Sequence, residues 1–395
     1  MNDARLRRSV RVGGAAIVVA AAAIAAWLLW KDDSPSREAV LPARPVVLRQ
    51  KSLPARPRRA TRLRGLDVYA DNRRGMLTAV ARAARPLVYV PNSGGDSVDV
   101  IDPRTFRVID HFNVGPSPQH VTPSHDLRTL YVASDAGNTL TPIQPRTGRP
   151  GKPIPVTDPY NLYFTFDGRL AIVVAERMQR LDFRRAHSFR LVRTLHVPCA
   201  GINHLDFTAN GRFAIASCEF SGRLLKVDVR RRRVLAVRRL PRRYSVPQDV
   251  RASPNARLFY VTDLAAGGVW LVNPRRLRVV GFIRTGAGAH GLVVSRNGRS
   301  LYVANRNEGS VSVISFRTRR VIAKWRIPSG SPDMGNVSAD GRVLWLSGRY
   351  SSEVYALSTT TGRLLARIPV GASPHGLSVW PQPGRFSLGH TGNMR

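Results

Sequence analysis

Apolar residues along this chain gather into short runs of four to seven, separated by Gly, Asn, Asp and Pro, and the whole pattern repeats about every 43 residues. Aligning the second run of each copy on its aromatic or aliphatic centre gives Tyr89, Tyr131, Ile172, Ile215, Tyr260, Tyr302 and Trp345, spaced 42, 41, 43, 45, 42 and 43 residues apart. Runs this short and rich in Val, Ile and Leu read as strands, and a fixed period of this length is the signature of a repeat architecture. Four copies place Asp167-Gly168, Asn210-Gly211, Asn297-Gly298 or Asp340-Gly341 just before the aligned run. Asn-Gly and Asp-Gly accept positive φ at both central positions of a tight turn, so each of these copies opens on a β-hairpin.

The sixth copy shows the whole unit. His290 to Ser295 forms strand A, Arg299 to Ala304 strand B, Ser310 to Phe316 strand C and Arg320 to Ile327 strand D. Four antiparallel strands per copy and seven copies predict an all-β, seven-bladed β-propeller, which leaves only short sheet edges. The alternative, an open solenoid, calls for atypical capping repeats. Ser373-Pro374-His375-Gly376-Leu377-Ser378-Val379-Trp380 reads as an eighth strand A with no strand B after it. The first copy lacks a well-matched strand A, so residues 375 to 380 are expected to complete its blade and close the ring. The domain then spans 65 to 395, with 65 to 80 and 381 to 395 as appendages.

Tyr302-Val303-Ala304-Asn305, followed by Asn307-Glu308-Gly309-Ser310-Val311-Ser312-Val313, resembles the signature of the YVTN-repeat β-propellers, which include the bacterial YncE-like proteins. Tyr89-Val90-Pro91-Asn92 and Tyr260-Val261-Thr262-Asp263 match less fully, and Ile172 and Ile215 depart from the Tyr position. The resemblance covers roughly residues 86 to 380. It implies the propeller and an envelope or secreted location, and it leaves the activity open, because a fold does not fix a function.

The first 64 residues follow other rules. Arg5, Arg7, Arg8 and Arg11 precede an uncharged run from Gly13 to Trp30, with Lys31, Asp32 and Asp33 immediately after. Eighteen apolar residues at 1.5 Å each reach roughly 27 Å, close to the hydrocarbon thickness of a bilayer. The expectation is a cytoplasmic basic segment (1–12), a transmembrane signal anchor (13–30) and a flexible Pro/Arg-rich linker (31–64), with the propeller outside the cytoplasm by the positive-inside rule. The rival is a cleaved signal peptide and a secreted protein. Against it, the bulky Trp27-Leu28-Leu29-Trp30 ends the run and no clear small-x-small site follows.

Charge changes the picture little. The net charge is +37, but 57 of the 62 basic residues are Arg, scattered over turns and outer strands. That reads as an Arg-biased solvated surface, with an anionic polymer or lipid as a lesser candidate partner. Nucleic acid is disfavoured by the predicted topology. The protein is expected to be a monomer, whose other partners would be an envelope protein or peptide. On the outer side of a membrane Cys199 and Cys218 can oxidise. They flank the first hairpin of the fourth repeat, so a disulfide is expected.

Chemistry is expected where the inner strands begin. The opening position of strand A reads His375, Gln119, Tyr160, Asn203, Gln248, His290 and Asp333 around the ring, and the next position Gly376, His120, Asn161, His204, Asp249, Gly291 and Met334. Loops leaving strand B add Asn92, Glu176, Glu219, Asp263 and Asn305 to the same channel mouth. Convergent polar groups in a concavity are the default ligand site. The candidate ligand residues are therefore Gln119, His120, Tyr160, Asn203, His204, Gln248, Asp249, His290, Asp333, His375, Glu176 and Glu219. Metal candidates are His120, His204, His290 and His375, while His111, His125, His187, His196 and His390 read as structural. No Gly-x-Ser-x-Gly, phosphate loop or His-Glu-x-x-His occurs, so no catalytic residue is assigned. No cofactor is expected. Two readings follow: a membrane-anchored binding or interaction module with its ligand at the mouth, or a metal-dependent, lactonase-like hydrolase or an oxidoreductase at the same place.

Overall fold

The computed structural model describes residues 66 to 395, so the anchor, linker and cytoplasmic segment read from the sequence lie outside the described residues. No helix among the described residues is long and apolar enough to cross a membrane. Seven four-stranded antiparallel sheets follow one another around an axis. In the sixth, Ala289–Val294, Ser300–Asn305, Ser310–Ser315 and Arg320–Arg326 occupy the four positions read from the repeat.

Burial falls from the axis outward. All six residues of Ile202–Phe207, an inner strand, are buried, whereas Arg320–Arg326, an outer strand, alternates exposed and half-buried positions. The aligned column packs between blades: Tyr89, Ile172, Ile215, Tyr260, Tyr302 and Trp345 are each at most 6 % exposed. This is why the repeat is visible in sequence at all, because each sheet must present an apolar face to its neighbour.

Ring closure is made by the last strand. Ser378–Trp380 pairs with Leu87–Asn92, Leu87 opposite Trp380 and Tyr89 opposite Ser378, and His375 N donates to Pro91 O at 3.0 Å. Cys199 and Cys218 form a disulfide that ties the entry of the fourth blade's strand A to the end of its strand B.

The two segments read as appendages are not appendages. Tyr69 is buried and donates from its hydroxyl to Ala252 O at 2.9 Å, and Asn72 Nδ2 donates to Met394 O at 3.1 Å. Leu388, His390, Thr391, Asn393 and Met394 are at most 3 % exposed. The tail crosses the end of the channel where the inner strands finish: Phe164 N donates to Leu388 O at 3.1 Å and His390 N to Leu162 O at 2.7 Å. An inner strand edge presents unpaired backbone groups to the axis, and the tail satisfies some of them.

Candidate functional site at the channel mouth and base

Strand pairing explains why two adjacent residues can both reach the axis. Side chains on a regular strand alternate faces. Here the A–B register breaks between Pro118 and His120, Ile202 and Leu205, Pro247 and Val250, Ala289 and Leu292, and Pro332 and Gly335. The residues skipped are Gln119, Asn203 and His204, Gln248 and Asp249, His290 and Gly291, and Asp333 and Met334. They coincide with the two candidate columns. A bulge of this kind bends the strand and re-aims its side chains, which is its common use beside functional sites.

At the mouth, one carboxylate organises three cations or potential cations. Asp333 is fully buried and receives Arg306 Nη2 at 2.6 Å and Nε at 3.1 Å, both on Oδ1. His375 Nδ1 lies 2.6 Å from Oδ2, and His290 Nδ1 lies 2.8 Å from Oδ1, close but off the line of a good hydrogen bond. Burial alone would raise the Asp333 carboxyl, yet Arg306 above all, with the imidazoles beside it, holds it well below the usual carboxylate range. Burial pushes His290 and His375 down, so both stay neutral beside an ionised Asp333. His375 then donates from Nδ1 and turns Nε2 towards the Tyr160 hydroxyl, 3.4 Å away.

Across the mouth stand two glutamates. Glu219 accepts from Asn203 Nδ2 at 2.9 Å, and the same amide approaches Gln248 Oε1 at 3.4 Å. Glu176 is 8 % exposed, and its Oε1 is buried without a partner. Burial, reinforced by Glu219, pushes the Glu176 carboxyl up to about 9. Burial and then the same two glutamates raise the Tyr160 phenol well above its ordinary value. Gln248 Nε2 is likewise buried and unpartnered, while Gln119 Nε2 is held by Ser117 Oγ at 2.9 Å.

Below the mouth the second column brings histidines together. His120 and His204 are fully buried with their Nε2 atoms 3.4 Å apart, and His390 joins them from the tail at ring-centroid distances of 5.1 and 5.0 Å. One nitrogen of each ring lies within 4.8 Å of the others. Burial pushes His120 down to about 4 and lowers His204 and His390 well below the ordinary value, so the three rings are neutral.

The four histidines read from sequence as metal candidates therefore divide. His120 and His204 converge, whereas His290 and His375 face Asp333. His390, read as structural, completes the converging group. Sequence reasoning missed it because the last 15 residues carry no strand periodicity, and missed Arg306 because it follows Asn305 in a turn. Asp249 is engaged in joining blades: its Oδ2 accepts from Leu292 N at 2.9 Å and its Oδ1 from Val250 N at 2.7 Å. Asn92, Asp263 and Asn305 brace their own blades, Asn92 on Asp99 at 2.9 Å, Asp263 on Trp270 Nε1 at 2.8 Å and Asn305 on Ser310 Oγ at 2.9 Å.

Comparison with known proteins agrees with this architecture. The family model described as "YNCE-like beta-propeller" matches residues 72–383. No curated protein matches the chain in sequence. Among solved structures, a protein of unknown function from Desulfotomaculum acetoxidans DSM 771 superimposes with a TM-score of 0.60 at 15 % identity, covering 75 % of this chain and 100 % of that one. Kuenenia stuttgartiensis hydrazine synthase gives 0.58 at 18 %, covering 70 % and 93 %, and virginiamycin B lyase from Staphylococcus aureus gives 0.55 at 14 %, covering 66 % and 87 %. At these identities the likeness is one of fold alone.

Proposed function

The chain belongs to the YncE-like β-propeller family, and from that premise we propose that it is a membrane-anchored, extracytoplasmic binding module. Its ligand is a small organic cation, an ammonium or guanidinium group free or on a peptide side chain, taken at the channel mouth. One observation carries the reading: Glu176 Oε1 is buried without a partner beside a second carboxylate, Glu219. An unsatisfied buried acceptor costs about 1–3 kcal/mol, more if charged, and a cationic donor removes that cost. The tail fills the far end of the channel, so the inner-strand starts are the approach for a ligand. The molecule's high positive charge does not forbid the encounter, since exposed charges beyond about 8 Å are screened at physiological salt.

The test is calorimetric titration of the full-length protein with methylammonium, guanidinium, putrescine and arginine methyl ester at pH 6, 7 and 8. Binding must ionise Glu176, so affinity rises by up to about tenfold per pH unit below 9, and Glu176→Gln abolishes that rise. Absence of saturable binding for all four cations, or pH-independent affinity, overturns the proposal. A second reading, hydrolysis at the same mouth, draws support from the Asp333–His375–Tyr160 chain, an oriented base next to a hydroxyl. Turnover of a simple γ-lactone or aryl ester that is lost in His375→Gln would favour it.

A further inference from the structure

We propose that His120, His204 and His390 form a site for a divalent transition ion of the zinc type at the base of the channel, with the third ligand delivered by the C-terminal tail. The site lies directly beneath the mouth, with the His120 ring 4.9 Å from that of His375, but it uses other ligand atoms and does not depend on the cation reading. Its first support is geometric. With zinc–nitrogen bonds of about 2.0–2.1 Å, two imidazoles at tetrahedral angles stand roughly 3.3–3.4 Å apart, and the two Nε2 atoms are 3.4 Å apart. All three ligand atoms lie within 4.8 Å of one another. Three protein nitrogens leave a fourth position for water, and neutral imidazole suits zinc, cobalt and nickel.

The surroundings orient His120 as a ligand and hold the other two rings beside it. His120 Nδ1 lies 2.9 Å from Tyr160 O, so it donates there and turns the Nε2 lone pair inward, the usual outer-shell arrangement for a metal-binding histidine. His390 is positioned by Asn161 Nδ2, 3.1 Å from its Nδ1, and by Asp249 Oδ2, 3.6 Å from its Nε2, and an ion bound to it takes the place of one of these contacts. His204 Nδ1 is buried without a partner. Three neutral imidazoles packed together, with His204 Nδ1 orphaned and the facing Nε2 atoms joined only by a long 3.4 Å contact, make a poor core when apolar side chains could fill it. An ion between them gives the arrangement a purpose.

The tail is shaped to bring His390 there. Gly389 has φ +98°, and a Cβ on it would stand 2.2 Å from Leu162 O, so only glycine permits this approach. His390 itself has φ +53°, a left-handed conformation that is strained for a non-glycine residue. Gly376 serves the opposite wall, where a Cβ would lie 2.2 Å from His120 Cδ2. Backbone strain and missing side chains thus converge on the same three rings.

The experiment is to strip the full-length protein in detergent with a chelator and titrate it with Co2+ and Zn2+. One equivalent is expected to bind, giving a visible cobalt spectrum and an X-ray absorption first shell containing three imidazoles. His120→Gln, His204→Gln and His390→Gln should each weaken binding by more than about 100-fold, since loss of even an outer-shell partner costs about 10–100-fold. His111→Gln and His196→Gln, exposed on the outer strands Arg107–Asn113 and Leu191–His196, should leave it unchanged, which separates specific uptake from binding by surface histidines. Circular dichroism checks that the variants fold, and the wild-type absorption spectrum requires no variant. Failure to take up an equimolar ion, a first shell without three imidazoles, or equal binding in folded ligand variants overturns the proposal.

Discussion

Replacing Arg395 with Met tests whether the tail is part of the folded core. Asp206 is fully buried on the fourth blade's inner strand, and its Oδ1 receives Arg395 Nη2, Asn393 Nδ2 and Phe207 N, each at 2.7 Å, while Oδ2 receives Ala252 N at 2.8 Å. Arg395 is 6 % exposed and stacks over the Tyr69 ring at 5.0 Å. Breaking a buried ion pair from one side costs about 3–5 kcal/mol, because the partner charge stays behind. Three neutral donors remain on Asp206, which places the loss near the lower end, about 3 kcal/mol. At roughly 2.1 cal/mol/K of unfolding entropy per residue over about 330 residues, that lowers Tm by about 4 °C. Thermal and urea unfolding followed by tryptophan fluorescence measure it. Adding Asp206→Asn removes the stranded charge, so the double variant should lose at least about 1 kcal/mol less than the sum of the singles. A single Arg395→Met loss below about 0.5 kcal/mol, or strict additivity, refutes the assignment of the tail to the core.

Two further outcomes follow from particular residues. Glu176 has its folded pKa raised from 4.5 to about 9, so its contribution to stability is full below pH 4.5 and is lost as pH rises towards 9. At about 1.4 kcal/mol per unit, the stability of wild type relative to Glu176→Gln should fall by about 2.7 kcal/mol between pH 6 and pH 8, and a flat difference in urea midpoints would refute the burial argument. Replacing both Cys199 and Cys218 with Ser opens a loop of 19 residues' separation, which on chain-entropy grounds costs about 3 kcal/mol; unchanged unfolding on comparison with the oxidised protein would contradict it.

What the sequence revealed and what it concealed have physical causes. Tyr89, Tyr260 and Tyr302 recur because every blade must pack the same apolar face against its neighbour, and Asn297-Gly298 recurs because every hairpin needs positive φ. Periodicity also exposed the polar columns, since Gln119, Asn203, Gln248 and Asp333 occupy equivalent positions. It could not show the register breaks beneath those columns, which depend on pairing with strand B. Nor could it place residues 381 to 395. His390, Asn393 and Arg395 belong to no repeat, and their partners, Asn161 and Asp206, lie more than 180 residues away. Their only local trace is Gly389 and Gly392, which read equally well as an unstructured tail.

The distinction between structural and available polar groups narrows where function can reside. Asp206 and Asp249 occupy deep positions on neighbouring inner strands, and each carries a backbone amide of the next blade, Ala252 N at 2.8 Å and Leu292 N at 2.9 Å. A propeller's ring needs such links, because adjacent inner strands diverge and cannot pair along their length. Asp206 then docks the tail through Arg395 and Asn393, so the acid that looks most like a buried ligand is fully accounted for by the fold. Asp333 is similarly occupied by Arg306 and two histidines. What the fold leaves unsatisfied is different in kind: the Glu176 Oε1 at the mouth and His204 Nδ1 below it, where the His120 and His390 rings converge. These groups sit in a frame held by the aspartates, and a rigid frame is what a binding site of few ligands requires. The tail thereby serves stability through Arg395 and chemistry through His390, five residues apart on one strand of chain.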